Sequence, residues 1–182
     1  MGTGMYIVYF AVILLLPLYA QMKVKGTYNK FSKVASQRGM TGAQVARMIL
    51  DQHGLTDVRV VPTQGILSDH YNPATKTVAL SESNYYESSL AGIAVAAHEV
   101  GHAIQHKVGY GFLKIRNSIV PFVNLSTKIG YVVVMIGIIF SYYKIAIIGL
   151  ILLLGMLFFQ LITLPVEFNA SKRAKKQLIE LN

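Results

Sequence analysis

Three histidines recur at four-residue intervals in "AVAAHEVGHAIQHKVGY", residues 94–110: His98, His102 and His106. Four residues is about one helical turn, so on a helix all three lean toward one face. The first pair encloses Glu99 in His-Glu-x-x-His, "HEVGH". Imidazoles at i and i+4 can share one Zn²⁺ while the glutamate between them reaches water on the metal. The small residues at 94–97 and Ala103 permit another backbone, or a substrate, to approach closely. His106 lies two turns beyond His98, a rise of about 12 Å. Zinc–nitrogen bonds are ~2.0–2.1 Å, so ligands of one ion sit about 4 Å apart at most. One straight helix cannot deliver all three. The metzincin continuation needs Gly where Gln105 stands and His where Val108 stands. His106 is expected to be a bystander to the metal, on the surface or behind the ligands.

The third ligand must come from another element. After Glu99 the chain has only Glu167 and Glu180 as acids, and no aspartate. Glu167 lies in "LPVEFNASKRAKK", where an apolar run meets a basic tail. His98, His102 and Glu167 are therefore the expected ligands of one zinc per chain. Two histidines and a glutamate leave the fourth position open for water, which is the coordination of a catalytic zinc. The expected chemistry is hydrolysis of peptide bonds by Zn-activated water, with Glu99 as general base that passes the proton to the leaving amine. His70 and Tyr71, in "SDHYNP", are candidate donors to the oxyanion or else turn-packing residues. "TVALS", with Val78 and Leu80, precedes the motif helix and is expected to be an edge strand that aligns substrate by strand addition.

These residues need elements to carry them, and composition says in which solvent. Of 182 residues 53% are hydrophobic and 14% charged, with mean hydropathy +0.47, which points to a membrane protein. The absence of cysteine excludes disulfides, thiolate catalysis and Cys-type zinc sites. Residues 1–22 carry no charged side chain and lack the basic start of a signal peptide, so they read as an uncleaved anchor. Apolar runs at 129–143 and 145–166 are separated by Lys144 alone and read as a transmembrane hairpin turning near Tyr142, Tyr143 and Lys144. The first run extends back through the uncharged stretch 117–127. Of the 17 Lys and Arg, eleven lie between 23 and 116 and four between 172 and 176. With Lys128, sixteen fall on one face of a three-span arrangement and only Lys144 on the other. That face is expected to be cytoplasmic and the amino terminus outside. The asymmetry accounts for the net charge of +9 without nucleic acid.

The expected organisation is an N-terminal transmembrane anchor at 1–22, a cytoplasmic zincin-like catalytic part at 23–116, the hairpin at 117–166, and a cytoplasmic helix at 167–182 bearing the third ligand. In 23–116, residues 27–38 suit an amphipathic helix near lipid headgroups. "MTGAQVARMILDQHGL" has a Thr41/Gln44 capping box and a Gly54 stop, with His53 as a surface or capping residue. "VRVVP" and "KTVALS" suggest a small sheet, with the Asn72-Pro73 turn signal between them, and the motif helix starts near Ser88. The fold class is an α-rich, α+β membrane protein: amphipathic and zincin-type helices with a small β-sheet, an anchor and a hairpin.

With "SKVASQRGMTGAQVARMIL", "LSDHYNPATKTVALSE", "AVAAHEVGHAIQH" and "TLPVEFNASKRA" in view, the chain resembles the YugP-type membrane zinc metallopeptidases of bacteria over most of its length. The order of His-Glu-x-x-His, hairpin, then Glu-x-x-Ala is also similar to the wider group of membrane prenyl-protein and heat-shock endopeptidases. In that group the motif continues to an aspartate that supports a zinc-bound histidine; here Ser171 takes its place. The resemblance implies a bacterial cell-membrane location, peptide or protein substrates that include membrane proteins, and a further hydrophobic segment beyond Asn182. Partners besides the bilayer, a homo-oligomer among them, are left open. A site-2-type intramembrane protease is disfavoured, because it needs a downstream aspartate. The remaining alternative is a non-catalytic, zinc-stabilised membrane scaffold or adaptor.

The charge asymmetry predicts an accessibility pattern. Asn72→Cys and Ser171→Cys should be shielded from impermeant thiol reagents in intact cells, and Tyr143→Cys should be labelled. Labelling of Ser171→Cys from outside would overturn the shared face on which Glu167 depends.

Overall fold

Thr41 accepts a hydrogen bond from the Gln44 backbone N–H at 3.3 Å, and the Gln44 side chain accepts from the Thr41 N–H at 2.9 Å. This reciprocal cap starts helix α2 (Gly42–Gln52) at the residue the sequence indicates. Gly54, at φ +61°, ends it, and the His53 ring bonds back to the Ile49 carbonyl as a capping residue. In this computed structural model, which describes residues 3–181, the elements before and after α2 are arranged around one buried helix. α1 spans Thr3–Phe31, and the sheet is formed by β1 (Arg59–Thr63), β2 (His70–Asn72) and β3 (Thr77–Ser81). Then come α3 (Glu82–Tyr86), the motif helix α4 (Leu90–Lys107), α5 (Gly111–Ile139) and α6 (Tyr143–Glu180).

α4 is the hub. Ser89 caps it by accepting from the Gly92 N–H. Its Ala96, Ala97, Val100, Ala103 and Ile104 are buried against Val45, Ala46, Ile49 and Leu50 of α2 and Val78 and Leu80 of β3. The alanines let these elements approach closely, and their small side chains lose no rotamer freedom on burial.

The sheet corrects one expectation. Its order is β1-β3-β2, with β3 parallel to β1 and antiparallel to β2. β3 is the central strand, buried at every residue, so Val78 and Leu80 are core and present no edge to a substrate. The exposed side of the sheet next to α4 is β2, the "HYN" that the sequence presents only as part of a turn. "TVALS" is apolar at successive positions because both of its faces and both of its edges are covered.

α1 also differs from expectation. The sequence leads one to expect an anchor at 1–22, of which residues 1 and 2 lie outside those described, and an amphipathic helix at 27–38, yet one helix runs from Thr3 to Phe31. Thr27 bonds its hydroxyl to the Lys23 carbonyl one turn back, which satisfies the side chain without interrupting the helix. The chain leaves the helix after Phe31, and Ala35 forms a bridge with Ser89, tying this turn to the start of α4.

α5 and α6 form the hairpin, turning at Phe140–Tyr142 with Ser141 at φ 57°. Both are long and apolar enough to cross a membrane. Their outward faces expose large apolar residues such as Ile138, Ile151 and Phe158. A Cβ on Gly137 would lie 2.4 Å from the Ala146 nitrogen, so glycine is required for the two backbones to pack this tightly. α6 does not stop at Val166. Its 38 residues make about 57 Å of helix, against a hydrocarbon core of about 30 Å. The surplus, which follows Pro165 inside the helix, is an arm that lies along α4. There, a Cβ on Gly101 would sit 2.7 Å from the Ala170 carbonyl oxygen.

Gly101→Ala should therefore push α4 from α6, at a cost of roughly 1–3 kcal/mol of overpacking, and lower the melting midpoint. Gly26→Ala, in α1 with open space around it, should not. Equal midpoints for the two variants would mean that the α4–α6 contact does not constrain the fold.

Candidate metal centre

His98 and His102 are one turn apart on α4, with ring centroids at 4.8 Å. Glu167, on the arm of α6, reaches between them. Its Oε2 lies 3.2 Å from His98 Nε2 and 3.5 Å from His102 Nε2. Three ligand atoms from these residues fall within 4.8 Å of one another. Ligands at 2.0–2.1 Å in a tetrahedron are separated by ~3.3 Å. The histidine–glutamate distances bracket that value, so the donor set fits a zinc ion in both chemistry and size.

The imidazoles are oriented from behind. Gln105, fully buried, donates through Nε2 to the Val166 carbonyl at 2.8 Å and to Asn169 Oδ1 at 3.0 Å. A carbonyl can only accept, so the amide is fixed with Oε1 facing His102 Nδ1 at 3.0 Å. Nδ1 must then carry a proton, which leaves Nε2, 3.5 Å from Glu167 Oε2, as the nitrogen that can bind a metal. For His98 the same place is filled by Ser171, whose Oγ is 3.2 Å from Nδ1. The hydroxyl orients this ring without adding charge.

The electrostatics agree with a site built to hold positive charge. Hydrogen bonds from His102 and His98 keep the Glu167 carboxyl well below the usual carboxylate range. Burial alone would lower the His102 pKa, but Glu167, Glu99 and Gln105 outweigh it and raise it. Glu99 follows His98 on α4, close enough for both imidazoles and Glu167 to act on its charge. It is buried, and burial raises its pKa while the two imidazoles oppose the shift.

A cavity of about 260 Å³ opens onto His98, Glu99, His102 and Glu167. One wall is β2 and its flanks, with Asp69, His70, Tyr71 and Pro73; the other is the start of α5, with Leu113, Arg116 and Asn117. His70 is exposed, its ring held at 2.9 Å on the Ser68 carbonyl. The Tyr71 hydroxyl is 2.8 Å from His106 Nδ1. His106 is thus remote from the ligand set, as expected, and it positions the tyrosine that borders the cavity. Val78 and Leu80 do not reach the cavity. Sequence reasoning missed Gln105, Asn169 and Arg116. Gln105 had one usable signal: an uncharged polar residue at i+3 from His102, on the face of the motif helix that points inward.

Replacing Gln105 with leucine keeps the bulk but releases His102. Zinc affinity, measured by chelator competition, should fall by about 10–100-fold, and Ser171→Ala should have a smaller effect. Full affinity in Gln105→Leu would show that His102 needs no partner at Nδ1.

Residues 6–182 match a protein family described as "Putative neutral zinc metallopeptidase". The chain is also 48% identical over 164 residues, 90% of its own length and 73% of the relative's, to a protein of Bacillus subtilis (strain 168) named "Putative membrane protease YugP". No solved structure matches this chain.

Proposed function

Because the chain belongs to the neutral zinc metallopeptidase family, we propose that it is a zinc-dependent endopeptidase, hydrolysing peptide bonds at the cytoplasmic face of a bacterial membrane. The observation that carries this reading is the convergence of Glu167 Oε2 on the two histidine Nε2 atoms, with a cavity open beside them. His98, His102 and Glu167 would hold the zinc. When bound there, zinc supplies Lewis acidity, lowering the pKa of water and polarising the scissile carbonyl.

The chain's own residues do the rest. Glu99, with its raised pKa, is suited to take a proton from water in the cavity and return it to the leaving nitrogen. The Tyr71 hydroxyl, set by His106, borders the same cavity as a donor for a developing oxyanion, and His70, whose Nδ1 proton is given to the Ser68 carbonyl, could join it from Nε2 only as an imidazolium. β2 is paired with β3 on one side only, so its other side is free to hydrogen-bond an extended peptide beside the site. In this reading residues 1–22 form an anchor, 23–116 and 167–182 face the cytoplasm, and 117–166 span the bilayer. Substrates are peptides or unfolded proteins, membrane proteins included. The apolar outward faces of α5 and α6 and the membrane-protease name of the relative support this placement.

The two glutamates separate the roles. Glu99→Gln should retain zinc and lose activity by about 10²–10⁴-fold, on general-base magnitudes. Glu167→Gln should lose zinc as well as activity, since a neutral amide is a poor ligand. His106→Ala should keep its zinc. The measurements are zinc per chain after dialysis and hydrolysis of unfolded casein. A full zinc equivalent in Glu167→Gln would remove it from the ligand set. Zinc retained by the wild-type chain with no hydrolysis of any protein would leave a metal-stabilised scaffold instead.

A further inference from the structure

Arg116 stands in the wall of the cavity opposite β2, on the second turn of α5. Its Nε is buried and has no hydrogen-bond partner. Nη1 makes one long contact, 3.4 Å to Asn117 Oδ1, and the guanidinium lies over the Phe159 ring at 5.8 Å. Among the described residues no carboxylate pairs with it. Two of the three acids that line the cavity are otherwise engaged. Asp69 accepts from the Ser81 N–H and hydroxyl and from Asn84 Nδ2, and Glu167 lies between the two histidines. A buried guanidinium nitrogen left unsatisfied is costly, and an arginine offers its donors in a planar fork that matches a carboxylate. Phe159 holds the plane of that fork from one side.

Resting on the peptidase reading above, we propose that Arg116 is a substrate-binding residue that pairs with a carboxylate of the peptide as it lies in the cleft. The enzyme would then favour substrates bearing a carboxylate close to the scissile bond, whether an acidic side chain or a free carboxyl terminus. The phosphate of a lipid headgroup is the competing ligand, since α5 enters the apolar hairpin just beyond this turn. The cavity favours the peptide, because the same space is lined by Glu99 and the three candidate ligands.

The test uses the full chain in lipid nanodiscs with zinc. The probes are fluorescein-labelled, alanine-rich peptides with a central leucine. They carry Glu or Gln at each position around it, and a free or amidated carboxyl terminus. Binding is read by anisotropy on Glu99→Gln, and cleavage on the otherwise wild-type chain. At least one carboxylate should improve binding by about 10–100-fold over its neutral counterpart, the strength of a charge-assisted hydrogen bond. That ratio should collapse toward one when Arg116→Gln is added and be intermediate with Arg116→Lys, which keeps the charge but loses the fork. The Glu/Gln arm and the acid/amide arm show which carboxylate is read. The proposal is overturned by a ratio near one in the Arg116 chain, by a ratio that survives Arg116→Gln, or by equal loss of acidic and neutral peptides. Less anionic lipid co-purifying with Arg116→Gln than with the unsubstituted chain, with peptide preference intact, would assign the residue to lipid instead. If casein is cut but no Arg116-dependent ratio exists, the substrate assignment falls and the peptidase reading stands. If the ratio exists and nothing is ever cut, the reverse holds.

Discussion

The orientation of one buried amide governs the geometry of the metal centre. Gln105 lies on the motif helix, but its partners Val166 and Asn169 are on α6, beside Glu167. The Val166 carbonyl fixes which end of the amide faces His102, and this in turn fixes which imidazole nitrogen is left to bind a metal. The same hydrogen bonds set how far α6 stands from α4 and therefore where Glu167 reaches. A ligand set drawn from two helices is only as precise as the joint between them. Here that joint has three points: Gly101 against Ala170, Gln105 against Val166 and Asn169, and His98 against Ser171. Each tolerates little displacement, because backbone contact and a saturated amide leave no slack.

This joint connects the apolar hairpin to the chemistry. α6 is one helix from the turn at Tyr142 to Glu180, and Pro165, two residues before Glu167, removes one helical hydrogen bond where the segment that packs with α5 meets the segment that carries Glu167. In a soluble zincin the third ligand can be carried by the same globular core as the motif. Here it belongs to an element whose upper half packs by glycine contact with α5. The hairpin therefore acts as the mount of the ligand, while the contacts of Gln105 and Gly101 with α6 hold Glu167 in place beyond Pro165.

Much of the metal centre was legible in the sequence, for physical reasons. His-Glu-x-x-His carries its own geometry once a helix is assumed, and the scarcity of acids after Glu99 left Glu167 as the acid at the right boundary. The capping box at Thr41 and the hairpin turn near Tyr142 were readable because their signals are local. The strand order was not. "VRVVP" and "KTVALS" are similar short apolar runs, and nothing within either says which lies in the middle. β2 was hidden because "SDHYNPAT" has turn chemistry at Asn72-Pro73 and only three residues of strand before it. The continuity of α1 through Thr27 turns on a hydroxyl bonding one turn back, which is invisible in a hydropathy pattern. Gln105 and Arg116 were overlooked for a shared reason: their significance lies in partners more than forty residues away, Val166 and Phe159.

Arg116 also shows how charge counting and site chemistry can overlap. Along the chain it is one of sixteen cations assigned to a single face, and that tally needs nothing from it beyond its sign. In the fold it is distinguished by what it lacks, since Arg47 and Arg173 have short, well-aligned partners within one helical turn and Arg116 does not. A side chain that anchored only by charge would extend into water, where every donor is satisfied. Arg116 instead folds its Nε away from solvent against Phe159 and borders the cavity with its remaining donors. The cleft thus has a strand edge on one wall and an unpaired cation on the other, with Glu99 and the ligand atoms between them. An extended peptide hydrogen-bonded to the β2 side would present alternate side chains toward α5. Main-chain pairing would set its direction, and Arg116 would set which residue sits beside the metal.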